Sequence, residues 1–143
     1  MALRVLVPVA ACLLLAADDP TRGDLERLQG EWAMASYQQA GKSLPDDVVK
    51  GCTMTINGAQ WVARSGVAEA KVAFKLDATR TPKTIDMAVG SGAKAYVSPG
   101  IYKVEGDTLT ICRPLLPRDT KRPKEFTGAD RAVVMIVWKR VKK

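Results

Sequence analysis

The sequence predicts an all-β chain, folded as an eight-stranded antiparallel up-and-down barrel with one short helix ahead of the first strand. Three observations carry this expectation. Eight segments alternate apolar and polar side chains with the period of two that a half-buried strand requires. Consecutive segments are mostly joined by short turns rich in Gly, Pro, Asn and Asp, so neighbours in sequence become neighbours in the sheet. No long central helix interrupts the series, and closure of eight such strands is the economical way to remove exposed sheet edges.

At 143 residues and 47% apolar, the chain has the size and the material for one domain with a substantial core. Met1 to Arg4 supply a positive charge, and Val5 to Ala17 form an apolar run interrupted by Pro8 and followed at once by Asp18-Asp19-Pro20. That run is short for a transmembrane helix, which needs roughly 20 apolar residues, and it has the order of a signal peptide cleaved after Ala16 or Ala17. The expected organisation is therefore a leader over 1–17 and a single domain over 18–143, exported to the periplasm or beyond. A second reading takes Val9-Ala10-Ala11-Cys12 as a lipobox and anchors the protein by a lipid on Cys12, although Leu13 to Ala17 prolong the apolar stretch where a polar tether belongs.

Asp24 is placed to cap a short helix carrying Leu25 and Leu28 and ending at Gly30. Period two starts at Glu31 and runs to Gln39, with Trp32, Met34 and Ser36 on one face and Ala33, Ala35 and Tyr37 on the other. Pro45 to Gly51 reads as one helical turn. Cys52 to Ile56 and Gln60 to Arg64 flank Asn57-Gly58, a strong hairpin signal. Ala70 to Leu76 and Thr84 to Val89 follow. Tyr96 to Val104 is strand-like with a break at Pro99-Gly100, and Gly106-Asp107 turns the chain into Thr108 to Cys112. Arg113 to Asp130, with three prolines and many charges, reads as a long loop before the last strand, Ala132 to Val141.

The chemistry the sequence excludes is as informative. There is no histidine, so the commonest general base, every Ser-His or Cys-His couple and the usual zinc ligand are missing. No carboxylate cluster has the spacing of a calcium loop, and neither a metal nor any other cofactor is expected. Gly90-Ser91-Gly92-Ala93-Lys94 lacks the second half of a phosphate-cradling loop and leads into a strand. Asp77, Asp86, Glu105 and Asp107 are the carboxylates available to a hydrolase, yet their neighbours favour turn chemistry. The expectation is a protein without catalytic residues. Trp32, Trp61 and Trp138 fall on three separate strands and read as core anchors rather than as a base-stacking platform. Cys52 and Cys112 have room to pair in an oxidising compartment, worth about 4 kcal/mol. Strand alternation directs them to opposite faces, so two separate thiols are the expectation and a bridge the alternative.

Leu28-Gln29-Gly30-Glu31-Trp32, Phe74-Lys75-Leu76-Asp77, Pro82 to Asp86, Gly100-Ile101-Tyr102, Gly106 to Cys112, Arg122 to Phe126 and Trp138-Lys139-Arg140 occur here in this order. Across about Asp24 to Arg140 the chain thereby resembles the small planctomycete lipocalin-like domain of uncharacterised function, a resemblance that brings no catalytic residues with it. Gly30-Glu31-Trp32 is also similar to the Gly-x-Trp that opens the first strand of lipocalins, where an arginine of the last strand closes the barrel over the tryptophan. The resemblance implies that Gly30, Trp32 and Arg140 form that closure here.

Two functions follow. In the first, the barrel interior holds a small apolar or amphipathic molecule lined by Trp61, Phe74, Leu76, Met87, Tyr102, Leu109 and Ile111, unless those same residues fill it as a solid core. In the second, the protein is an envelope interaction or structural module. Its surface would act through the basic series Arg113, Arg118, Lys121, Arg122 and Lys124 and the tail Lys139, Arg140, Lys142 and Lys143, which suit an anionic envelope component. The net charge of +7 favours the second only as far as such a surface is left unpaired.

Overall fold

The computed structural model describes residues 19–142, and the leader, its cleavage positions and Cys12 lie outside them. Helix α1 (Pro20–Leu28) starts five residues earlier than the sequence suggests. Asp19 is its cap, accepting from the Thr21 amide at 2.9 Å, and Pro20 takes the first helical position. Asp24, expected as the cap, lies inside the helix on its buried face. The signal that decides between them is the Asp-Pro pair, since proline fixes a helical φ and needs no hydrogen bond at that position.

The sheet comprises β1 (Gly30–Gln39), β2 (Lys42–Ser43), β3 (Cys52–Asn57), β4 (Gln60–Ser65), β5 (Ala68–Asp77), β6 (Thr84–Val89), β7 (Tyr96–Glu105), β8 (Thr108–Pro114) and β9 (Val133–Arg140). Apart from β2, which only extends the end of β1 as a hairpin, each strand pairs antiparallel with the next, and β9 returns to β1 over Trp32↔Arg140 to Gln39↔Val134. The result is a closed eight-stranded antiparallel up-and-down barrel with a short N-terminal helix. A single turn of helix, α2 (Asp46–Val49), joins β2 to β3.

Three hairpins use two-residue turns that begin with glycine at positive φ: Gly58-Ala59, Gly66-Val67 and Gly106-Asp107. Such turns match the right-handed twist of the flanking strands. The Asn57-Gly58 turn of the sequence reading is thus displaced by one residue, because Asn57 still pairs with Gln60. Pro99-Gly100 does not break its strand either, since β7 runs through both. Gly100 is there because its neighbours leave no space: a Cβ would sit 2.7 Å from the Cys112 carbonyl oxygen and 2.9 Å from the Met87 methyl.

A register shift between Met34 and Ser36 changes which residues of β1 face inward. Trp32 and Met34 point into the barrel opposite Arg140 and Trp138, but beyond the bulge Tyr37, not Ser36, stands beside the inward Ile136. Strict alternation over this strand is therefore wrong past residue 34. Arg113 also departs from the sequence reading, belonging to β8 opposite Val134 rather than to the following loop.

That loop, residues 115–132, is folded back on the outer wall. Phe126 packs on a second apolar cluster formed by Ile101, Cys112 and Val133, and the Lys103 ammonium lies 4.9 Å from its ring centre. Arg122 donates to the Gly100 carbonyl at 2.8 Å and pairs with Asp86 at 2.7 Å. Cys112 is buried beneath the loop, while Cys52 faces the barrel lumen, and both thiols are free. Burial pushes the Cys112 thiol above its ordinary pKa.

Gly100→Ala is expected to destabilise the barrel by about 1–3 kcal/mol, since backbone as well as a side chain must move to admit one methyl group. Gly66→Ala, which meets open space but keeps a positive φ, is expected to cost about 1 kcal/mol. Urea unfolding of the two variants tests the order.

Candidate functional site

The barrel has two unlike ends. At the closed end, where β1 begins and β9 finishes, the Trp32 ring is fully buried and donates its indole N–H to the Leu28 carbonyl at 2.9 Å. The Arg140 guanidinium lies over that ring at 4.3 Å from its centre. Arg140 also donates to the carbonyls of Gln29 at 2.8 Å and of Arg27, and its Nε stands 3.3 Å from Asp107. One side chain of the last strand thus covers the tryptophan of the first and occupies carbonyls at the end of α1. Gly30 has φ of 115° and would bring a Cβ within 3.4 Å of Arg140 Nη1, so both its conformation and its size fit this contact.

Beside it lies a carboxylate that is 1% exposed. Asp24 accepts from Lys83 and from the Tyr102 hydroxyl, each at 2.8 Å, and from Arg27 at 2.9 Å. Burial raises its pKa, but the hydrogen bonds from Lys83 and Tyr102 and the neighbouring charges outweigh it and hold the group below its ordinary value. Tyr102 is driven far above the usual phenol range by burial and by the Asp24 charge it faces. With Thr21 Oγ1 accepting from the Ala78 amide at 2.9 Å, this network pins α1 across the barrel floor.

At the other end the barrel is open, and a cavity of about 390 Å³ extends into it. Its lower walls are apolar: Met34, Met54, Trp61, Val72, Met87, Ile111, Ile136 and Trp138. Its upper walls carry small side chains, Ala63 and Ser65 on β4 facing Ala70 and Ala68 on β5. Tyr37, Cys52, Tyr96 and Arg113 add polar atoms toward the lip, and the buried Ser98 adds a hydroxyl lower down, opposite Met87. Arg113 donates to the Pro114 carbonyl at 3.1 Å.

The candidate lining residues divide between the two ends. Trp61, Met87 and Ile111 line the cavity, with Phe74 packed against Trp61 at 5.0 Å between ring centres. Leu76, Tyr102 and Leu109 belong to the buried core and contribute no cavity wall, as does Phe74. The lumen is thus part solid core and part void. Met34, Tyr37 and Ser98 were missed. Tyr37 was hidden by the bulge, and Ser98 by the supposed break in β7.

Of the four acidic residues considered for hydrolysis, Asp77 and Asp86 line one outer-wall pocket together with Arg80 and Arg122, whereas Glu105 and Asp107 lie elsewhere. Asp77 is bound to Thr79 and Arg80 in a turn, Asp86 to Arg122 on the outer wall, Glu105 lies 3.8 Å from Lys103, and Asp107 is held by Arg140 and Lys142. None lines the cavity. Among the described residues no group of three or more Cys, Asp or Glu is arranged to hold a metal ion, and no helix is long and apolar enough to cross a membrane. No protein-family model matches the chain, and no curated protein and no solved structure matches it with significance.

Replacing Arg140 by Met keeps the apolar stem over Trp32 but removes the charge and leaves the Gln29 and Arg27 carbonyls without it. A loss of about 2–4 kcal/mol in urea unfolding is expected. The Asp24 network contributes to the pH response, as do Asp77 and Asp107, whose hydrogen bonds and cationic neighbours also hold them below the ordinary carboxylate value. A folded-state pKa below the ordinary 3.8 makes a contribution that is present above about pH 4 and lost as pH falls through the folded value. Tyr102, raised above 10.0, contributes below pH 10 and ceases to do so as pH climbs past it. Asp24→Asn is expected to lose about 1–3 kcal/mol at neutral pH and to flatten the acid decline, and Tyr102→Phe to flatten the alkaline one. Urea midpoints across pH measure both.

Proposed function

We propose that this protein is an exported carrier of the lipocalin-like type, related to the planctomycete domain family it resembles, that holds a small apolar or amphipathic molecule in the open half of its barrel and performs no catalysis on it. The observation that carries the reading is the cavity: about 390 Å³, apolar below, polar at the lip, over a floor packed solid by Trp32 and its neighbours. Binding pockets commonly occupy about 300–1,000 Å³ and combine this kind of apolar wall with a few polar groups that orient the ligand. An apolar body would displace water from the Met, Trp and Ile walls, and a polar head would lie near Arg113, Tyr37 and Tyr96. Export is supported by the order of charge, apolar run and small residues over 1–17.

The alternative of a surface module retains a smaller basic face. Arg122 is tied to the barrel wall, Arg140 to the closed end and Lys142 to Asp107, while Lys121, Lys124 and Lys139 stay exposed.

Ala70→Trp tests the carrier reading. Ala70 is exposed and lines the cavity, so an indole there occupies the void without disturbing the floor. Titration with a naphthylamine probe, followed by energy transfer from tryptophan, is expected to show micromolar binding that weakens at least about tenfold in the variant. Failure of the unaltered protein to bind the probe, together with native mass spectra free of any co-purified small molecule, overturns the reading.

A further inference from the structure

Among the described residues, the large apolar side chains that remain exposed are unevenly placed. Val67 is wholly exposed, Leu116 66%, Val97 56% and Val48 46%. All four belong to the open end: Val48 on α2 just before β3, Val67 at the tip of the β4–β5 turn, Val97 one residue inside β7, and Leu116 two residues beyond β8. They come from four sites spaced around the perimeter, so they ring the cavity mouth rather than form one patch on its side. Scattered exposed apolar residues are ordinary, but a set confined to one end around a cavity is not.

Each of the four has an exposed cation two or three residues away: Lys50 beside Val48, Lys94 beside Val97, Arg118 beside Leu116 and, paired with Glu69, Arg64 beside Val67. Arg118 also reaches across to the Ala93 carbonyl at 3.4 Å, joining the loop after β8 to the one before β7. The anions of this end are in part engaged. Glu69 pairs with Arg64 at 3.1 Å, and Asp119 and Asp130 accept from amides of their own loop while keeping their charge; Asp46 and Asp47 on α2 and Glu125 in the loop after β8 are exposed.

We propose that the open end docks on an anionic lipid bilayer, with the four apolar side chains entering the headgroup layer and Lys50, Lys94 and Arg118 meeting phosphates beside them. A flat partner touches all points of a ring at once, and an apolar tip with a cation next to it matches the order of acyl boundary and charged surface in a membrane. The inference extends the carrier reading, on which it rests only in making the bilayer the source from which an amphiphile enters the mouth. The closed end offers no such ring, since none of the four exposed apolar side chains lies there.

Co-sedimentation with lipid vesicles tests it on the chain from residue 18 onward, since the described barrel is complete without the leader and the leader's apolar run would itself partition into lipid. The unaltered protein is expected to sediment with phosphatidylcholine vesicles containing about one-third phosphatidylglycerol, and far less with phosphatidylcholine alone. The double variant Val67→Ser, Leu116→Ser alters only exposed side chains and is expected to weaken sedimentation at least about tenfold. The triple variant Lys50→Gln, Lys94→Gln, Arg118→Gln is expected to abolish the preference for anionic vesicles. Should the unaltered protein stay in solution, or the Val67/Leu116 variant sediment equally well, bilayer docking is overturned, and ring-dependent binding to a protein without vesicle binding overturns it too. Sedimentation without probe binding leaves docking supported and the carrier reading refuted.

Discussion

The structure depends on a single stack at one end of the barrel. Trp32 begins the first strand and Arg140 finishes the last, so their contact is the side-chain counterpart of the hydrogen bonds that close the sheet. Arg140 does three things there: it covers the indole, takes up carbonyls at the end of α1, and meets the Asp107 carboxylate. A lysine has neither the flat face nor the several fixed donors that this combination uses. Helix, first strand and last strand are thereby tied at one point, although Arg140 is 111 residues from Gln29 in sequence.

From that point the interior follows from side-chain volume. Near Trp32 the inward positions carry Phe74, Leu76, Ile85, Tyr102 and Leu109, and the lumen is full. Farther along the same strands they carry Ala63, Ser65, Ala68 and Ala70, and it is not. An eight-stranded barrel is just wide enough for large side chains to fill it, so a run of small ones on two adjacent strands leaves space that nothing opposite reaches across to occupy. The void is a property of composition along β4 and β5, whereas the closed sheet around it comes from backbone pairing. The void and the packed core thus occupy different halves of one structure.

Much of this was legible in the sequence, for a physical reason. Period two, glycine turns and a Gly-x-Trp start are local features, and an antiparallel meander pairs each strand with its sequence neighbour, so local order nearly determines the topology. The misreadings come where a local rule meets a tertiary one. A single extra residue at Ala35 reverses the inward face of β1, and alternation alone cannot reveal it. Asp24 looked like a cap by residue type, but its partners Lys83 and Tyr102 lie 59 and 78 residues away. Gly100 looked like a break until its neighbours across the sheet were in place. The cavity lay hidden for a similar reason: apolar residues at inward positions look alike whether they touch across the lumen or not.

The Asp24 site shows why charge can be spent at the closed end. Removing a carboxylate from water is costly unless its oxygens are paired, and here both are, by Lys83, Tyr102 and Arg27. Each of those partners belongs to a different part of the floor: Arg27 to α1, Lys83 to the start of β6, Tyr102 to β7. An apolar residue at position 24 would pack the helix against the barrel without fixing its rotation, while a carboxylate is satisfied in one orientation. That orientation is also the one that presents the Leu28 carbonyl to Trp32 and the Arg27 and Gln29 carbonyls to Arg140. The buried ion pair therefore serves to set the geometry of the Trp32 stack, and the rigid floor this makes is what allows the opposite end to stay open.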